Sequence, residues 1–297
     1  MEKFGKSQSV LRTEDNRFLT GKGRYIDDAT PPGSLFAYFL RAQVAHAEIR
    51  SLCVDNAKKA TGVKAIFTAE DLKNNNVKND LIGVTVKNRD GTDGACPKRP
   101  LLATDRVRFV GEPIVLIIAD STDNAKDAAE LVDIDYEDLP VSLDLAIGKN
   151  TIHPEAPGNV AFEWELGDKL KTDAVFKNAD KVVSMDVANN RIIVNSMEPR
   201  GCYAQWENNK LHLSVSGQGV WTHKRFLSEI LGLKGDQIRV TNPDVGGGFG
   251  MKAMGYPEEF LVSFASIQLG KPIRWMSERT EAMLSDNAGR DLKHFAE

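Results

Sequence analysis

The longest unbroken run of apolar side chains, Ile114-Val115-Leu116-Ile117-Ile118-Ala119 behind Pro113, is one strand long and carries no polar position, which predicts a strand buried on both faces. Asp120 and Ser121 follow as helix caps, and Ala125, Ala128, Ala129 and Leu131 fall on one side of the helix they would start. Val132-Asp133-Ile134-Asp135-Tyr136 then alternates apolar and acidic positions, the period of a half-exposed strand. These three stretches predict a β-α-β unit, with Asp133 and Asp135 on a solvated face rather than on a metal. Before the unit, the pattern predicts strands over residues 34–41 and 63–67, and a short helix over 57–61 stopped by Gly62. Residues 73–98 read as a long polar loop with one short strand over 81–86, and residues 11–28 as an irregular surface segment with solvated charges.

After the unit the composition turns to Gly148, Pro154, Pro157 and Gly158, and a linker is expected over 146–159. Strands are predicted over 182–187, 191–194, 211–215 and 237–241. Between the last two lies a helix with Thr222 as N-cap, an apolar stripe of Phe226, Leu227, Ile230 and Leu231, and Gly232 as its stop. A second helix has Pro257 in its first turn with Glu258 and Glu259 behind it, then Phe260, Leu261, Phe264, Ala265 and Leu269, and ends at Gly270 and Pro272. A further strand begins near Asp291. Met197-Glu198-Pro199-Arg200 reads as an ion pair steadying a strand end.

The stretch Val240-Thr241-Asn242-Pro243-Asp244-Val245-Gly246-Gly247-Gly248-Phe249-Gly250-Met251-Lys252 breaks this periodicity. Four glycines in five residues forfeit about 2–4 kcal/mol of backbone entropy together, a large share of a net stability of about 5–15 kcal/mol. Such a loop persists where backbone turns through positive φ, or where something bulky lies against main-chain N–H groups. Set between a strand and a helix N-terminus, it would gather free donors around an anionic ligand. Gly217-Gln218-Gly219 makes a second strand–glycine–helix junction, and the two could face one ligand from two sides. An ATPase phosphate loop is excluded, because Lys252 follows Met251 and Ala253 is neither Ser nor Thr. A dinucleotide fingerprint started at Gly246 puts Met251 where its third glycine belongs. Composition alone leaves a ligand cradle and a tight crossing of sheet and helix both open.

The 297 residues suit about two domains, and a 41% hydrophobic, 27% charged composition is that of a soluble globular chain. A net charge of -4 gives no attraction to nucleic acid or anionic lipid. Residues 1–9 lack the apolar core of a leader, and no run is long enough to span a membrane, so a cytoplasmic location is expected. Cys53, Cys96 and Cys202 are odd in number and far apart, which argues against a disulfide framework or an iron–sulfur site. His46, His153, His212, His223 and His294 show no metal-ligand spacing, and no GxSxG nucleophile elbow is present.

Seven stretches, in order along the chain, carry a resemblance: Arg12 to Asp28; Pro100-Leu101-Leu102-Ala103 with Val110-Gly111-Glu112-Pro113; Pro157-Gly158-Asn159-Val160-Ala161-Phe162; Met197 to Arg200; Gly217-Gln218-Gly219; Asp244 to Lys252; and Leu284 to Asp291. Together they resemble the molybdopterin-binding large subunit of the molybdenum hydroxylases, the family of xanthine dehydrogenase, aldehyde oxidase and carbon monoxide dehydrogenase. The resemblance implies an α+β fold: an α/β hammerhead domain, residues 1–147, followed by the start of a mixed α+β molybdopterin-binding domain, residues 160–297. It implies a molybdenum–molybdopterin cofactor, in bacteria often the cytosine dinucleotide form, held by backbone amides and few side chains. Gln218 falls where the family's glutamine amide meets the apical oxo ligand, with Gly219 beside it. Phe249 falls in the loop that passes the metal and pterin, and Gly247, Gly248 and Gly250 would let it approach.

The implied reaction inserts oxygen from water at an electron-poor carbon of a small-molecule aldehyde or N-heterocycle, or oxidises a carbon monoxide-like substrate. The implied partners are an iron–sulfur (2Fe-2S) subunit, an FAD subunit and a complementary chain with the second cofactor domain. Ala253 stands where purine-oxidising relatives carry Glu, which argues against xanthine. At this length a split or truncated subunit is expected, and no residue here is assigned as the catalytic base. A non-catalytic remnant or docking subunit that binds no molybdenum is the alternative.

Overall fold

A computed structural model describes residues 11–143, 145 and 147–297. The stretch examined for a leader, and Ala146 at the linker's start, lie outside the described residues. In chain order the first half holds α1 (Asp15–Leu19), β1 (Leu35–Arg41), β2 (Ala47–Cys53), β3 (Val63–Phe67), α2 (Ala69–Asn74), β4 (Arg106–Val107), β5 (Pro113–Ala119), α3 (Thr122–Ala129) and β6 (Asp133–Asp138). The second half holds α4 (Lys169–Lys177), β7 (Met185–Asn189), β8 (Gly201–Glu207), β9 (Lys210–Val215), α5 (Trp221–Leu231), β10 (Ile238–Thr241), α6 (Pro257–Leu269), β11 (Ile273–Met276), α7 (Arg279–Ser285) and β12 (Leu292–Ala296). The fold class is α+β, as expected.

The apolar run of β5 is buried at every position. It lies in a seven-stranded sheet of order β10-β9-β8-β11-β1-β5-β3. Leu116 and Ile118 enter one core with α5 and α6, while Ile114, Val115, Ile117 and Ala119 enter a second with Ala125, Ala128 and Ala129 of α3. Burying each of these large side chains stabilises the fold by about 1.5–3 kcal/mol. Ser121 caps α3 as expected, its Oγ accepting from Asn124 N at 3.1 Å. The β-α-β expectation is corrected in topology, because β6 joins β4 and β2 in a separate three-stranded sheet instead of returning to β5. Its alternation is as read, with Asp133 and Asp135 exposed.

The seven-stranded sheet crosses the expected linker. β1 pairs in parallel with β11, Leu35 opposite Ile273, so strands from both halves share one hydrogen-bonded layer. Other local expectations fail for want of a neighbouring strand. Residues 81–86 and 191–194 form no strand, and only the single bridge Ile192–Gly289 marks the latter. The 57–61 helix shortens to a 3-10 turn over Ala57–Lys59. α5 begins at Trp221, one residue before the expected cap, while Gly232 ends it at φ 69° and Gly270 ends α6 at φ 58°. The segment 11–28 contains α1, and its charges are not all solvated: Arg17 pairs with Asp244 and Asp27 with Arg274. β7 and β12 form a two-stranded ribbon exposed along most of its length. No helix among the described residues is long and apolar enough to cross a membrane.

Candidate cofactor-binding site

The glycine loop leaves β10 and the Gln218 turn leaves β9; these strands pair in parallel, so both turns emerge at the same end of the sheet. The structure joins them. Gly250 N donates to Gln218 Oε1 at 2.8 Å, Gln218 N donates to Lys252 O at 3.0 Å, and Asn242 Nδ2 donates to Gly217 O at 2.5 Å. Because the Gly250 donor fixes the Gln218 carbonyl oxygen inward, the Nε2 donors point away from it. They have no partner among the described residues, and Gln218 is exposed.

Two physical demands account for the glycines. Gly247 and Gly250 sit at φ 101° and 85°, Gly219 at 136°, where a side chain is strained. Gly246 and Gly248 are close approaches within the chain: a Cβ at Gly246 would lie 2.5 Å from Glu198 Cβ, and one at Gly248 2.5 Å from Gln218 Cδ. Part of the loop's glycine content therefore serves a tight internal crossing. Phe249 holds φ 53° with a ring that is 75% exposed. A non-glycine residue there costs about 1–2 kcal/mol. Among the described residues the N–H groups of Gly219, Gly247, Gly248 and Phe249 have no intramolecular acceptor.

Beneath the loop is a floor that the sequence reading missed. Glu198 Oε2 accepts from Gly246 N at 2.8 Å, Ser216 Oγ at 2.7 Å and Lys252 Nζ at 3.0 Å. Lys252 Nζ also reaches Glu198 O at 2.8 Å and Ser216 Oγ at 2.7 Å, and its side chain is fully buried. Burial pushes the Lys252 ammonium below its ordinary value, and Glu198 offsets part of that shift. Lys252 is thus committed inward and offers no cation to a ligand.

The expected Glu198–Arg200 pair is not formed. Arg200 turns to the opposite side, where Nη1 meets Glu258 Oε2 at 2.9 Å, Nε meets Asp286 Oδ1 at 2.5 Å, and the guanidinium stacks 3.7 Å from the Tyr256 ring. Arg41 of β1 reaches the same Glu258 at 2.6 Å and Glu281 of α7 at 2.6 Å. Burial pushes the Glu258 carboxyl up, but Arg200 and Arg41 outweigh it and hold it at about 2. The expectation of an anion-receiving α6 N-terminus is also corrected. Its first turn is buried and filled by Glu258 and Glu259, and the 3-10 turn Met251–Ala253 separates it from the glycines. Tyr256 OH links the two by donating to Met251 O at 3.0 Å.

What the two turns present is a wall of amide donors, from backbone and from Gln218, with an exposed ring. That donor set fits an electron-rich group of oxygen and sulfur atoms held by many hydrogen bonds, as a metal-bound oxo and dithiolene pterin would be. Comparison with known proteins agrees. Residues 20–140 match the aldehyde oxidase and xanthine dehydrogenase a/b hammerhead domain, and residues 152–297 match the molybdopterin cofactor-binding domain. The chain belongs to the molybdenum hydroxylase family.

It is 38% identical over 284 residues to the nicotine 6-hydroxylase large subunit of Paenarthrobacter nicotinovorans, covering 93% of this chain and 34% of the relative. It is 35% identical to the carbon monoxide dehydrogenase large chain of Afipia carboxidovorans, covering 94% and 36%. The solved quinoline 2-oxidoreductase of Pseudomonas putida 86 superposes with a TM-score of 0.84 at 33% identity, over 96% of this chain and 36% of that one. The chain spans about a third of the length of these relatives.

Proposed function

We propose that this chain supplies one wall of the molybdopterin site in the large subunit of a molybdenum hydroxylase, an oxidoreductase acting on an aldehyde, an N-heterocycle or a carbon monoxide-like molecule with oxygen from water. The observation that carries the reading is the Gln218–Gly250 contact, which brings a side-chain amide together with a loop whose Gly247, Gly248 and Phe249 N–H groups, like that of Gly219, have no acceptor among the described residues. When bound, the molybdenum–pterin group supplies the two-electron acceptor for the oxidation. Gln218 donates to it through Nε2. Gly219, Gly247, Gly248 and Phe249 line it with main-chain N–H groups, and Gly250 orients Gln218. The cofactor is taken to be the cytosine dinucleotide form.

The opposite wall and the catalytic base come from a complementary chain that carries the second cofactor domain. Met197, Trp221, Phe249 and Met254 leave large apolar side chains exposed around the site, and the β7–β12 ribbon lacks a covering layer. Both features support such a partner. Iron–sulfur and FAD subunits complete the electron path, and the relatives' own designations as large subunit or large chain accord with smaller companions. The assembly works in the cytoplasm. Within this chain, residues 1–147 act as the hammerhead and 160–297 as the first cofactor domain.

Co-expression with the complementary and companion subunits, followed by metal and nucleotide analysis of the purified complex, tests this. Stoichiometric molybdenum with one cytosine nucleotide released per site is expected. A stable complex free of molybdenum and pterin would instead make the chain a docking subunit.

A further inference from the structure

Residues 17–26 lie far from the glycine loop in sequence, yet they contact it at Asp244, just before its first glycine. Arg24 N donates to Asp244 Oδ2 at 2.7 Å, Asp244 N donates back to Arg24 O at 2.9 Å, and the Arg17 guanidinium pairs with the same carboxylate oxygen. Two residues further along the arm, Ile26 N donates to Glu198 Oε1 at 3.4 Å, while Glu198 Oε2 holds Gly246. Ile26 is 2% exposed and packs against Gly201 at the start of β8, and Asp27 pairs with Arg274 of β11. The arm is thus anchored on the sheet at one end and reaches the loop entry at the other. Desolvation acts against the Asp244 carboxylate, but Arg24 N–H and Arg17 outweigh it and hold its pKa below the ordinary value.

We propose that residues 17–26 form a clasp on the glycine loop, with Asp244 the positioning residue through which the arm fixes the loop's path. Asp244 joins the arm by one backbone–backbone hydrogen bond, one bond from Arg24 N to its carboxylate and a charge, so the loop leaves β10 already pinned two residues before its first glycine. The clasp stands on this chain's own contacts; only its consequence for the cofactor rests on the function proposed above.

Amide hydrogen exchange on the full chain, without cofactor, tests it. The reporters are the bonded amides of Gly246 and Gly250, and β9 amides are the control. In Asp244→Ala and in Arg17→Ala, exchange at Gly246 is expected to accelerate about tenfold, with β9 unchanged, as local opening without global unfolding requires. Asp244→Asn keeps an oxygen for Arg24 N–H, and a smaller acceleration is expected. Unchanged Gly246 exchange in Arg17→Ala, or equal acceleration of loop and β9 amides, overturns the proposal. If Asp244→Ala does not fold, Arg17→Ala decides alone, since Arg17 is 41% exposed in its side chain and its removal leaves no cavity. Molybdenum content of the assembled enzyme is a separate readout, so a cofactor-free complex with a loosened loop in the variants refutes the functional reading and leaves the clasp standing.

Discussion

Lys252→Met separates an inward-committed lysine from one held ready for a ligand. Methionine matches the length and volume of the lysine stem, so the substitution leaves packing intact and deletes the charge with three hydrogen bonds, to Glu198 O, Glu198 Oε2 and Ser216 Oγ. Glu198 then remains, 10% exposed, with Gly246 N, Ser216 Oγ and Ile26 N as donors. Removing one partner of a buried pair costs about 3–5 kcal/mol. The three surviving donors place this case at the lower end, about 3 kcal/mol, a loss that lowers a urea midpoint by about 1 M or more.

The double variant Glu198→Gln/Lys252→Met removes both charges and keeps an acceptor for Gly246, so it is expected to recover to within about 1 kcal/mol of the parent. Equilibrium urea unfolding of the four proteins in the cycle gives both numbers. If Lys252→Met costs under about 0.5 kcal/mol, the value of an ordinary surface change, or if the double variant loses the sum of the two single losses, the floor does not work as described.

Three further outcomes follow from the same geometry. Gly246→Ala drives a Cβ into Glu198 Cβ at 2.5 Å, a side chain fixed by its own bonds, whereas Gly248→Ala meets only the exposed Gln218 side chain. Thermal unfolding should show a loss of about 1–3 kcal/mol for the former and under about 1 kcal/mol for the latter, with Gly250 amide exchange faster in Gly248→Ala as Gln218 is displaced. Glu258 titrates at about 2 in the fold against 4.5 when free. Its stabilisation, about 3 kcal/mol, is therefore complete above the free value and lost as pH falls from about 4.5 towards 2. Glu258→Gln should flatten that limb of the stability–pH curve, checked by urea midpoints at successive pH values. Burial alone would lower the His223 pKa, but the Glu259 carboxylate, 3.0 Å from Nε2, raises it above 6.5. NMR of the imidazole should find it still protonated at pH 6.5, and the stability it gives is present below that pH and lost as pH rises through the folded value.

Local pattern was enough for elements whose reason is local. The β5 run, the Ser121 cap, the αL glycines 232 and 270, and the two glycine junctions all have their cause within a few residues, and β9 pairing with β10 carried Gln218 to Gly250 as the paired junctions suggested. The shared sheet was not legible, because β1 pairs with β11 across more than 200 residues and neither strand's periodicity names its partner. Strands 81–86 and 191–194 failed for the converse reason, apolar character with no neighbour. The buried cluster of Arg41, Arg200 and Glu258 was not legible, because charged side chains are seldom buried unless paired and these partners are distant in sequence. Glu198 stood out beside Arg200, yet its true partner, Lys252, comes from the end of the glycine loop. The solvation expected of residues 11–28 was overturned by Asp244 in the same way.

On the function proposed above, the Gln218 turn and the glycine loop form one wall of a molybdenum–pterin site. Anomalous X-ray scattering at the molybdenum edge, from crystals of the assembled complex, tests it most directly. A single strong peak within contact range of the Gln218 amide and the Phe249 main chain is expected. A molybdenum peak elsewhere in the complex, with this wall facing only protein, would contradict it.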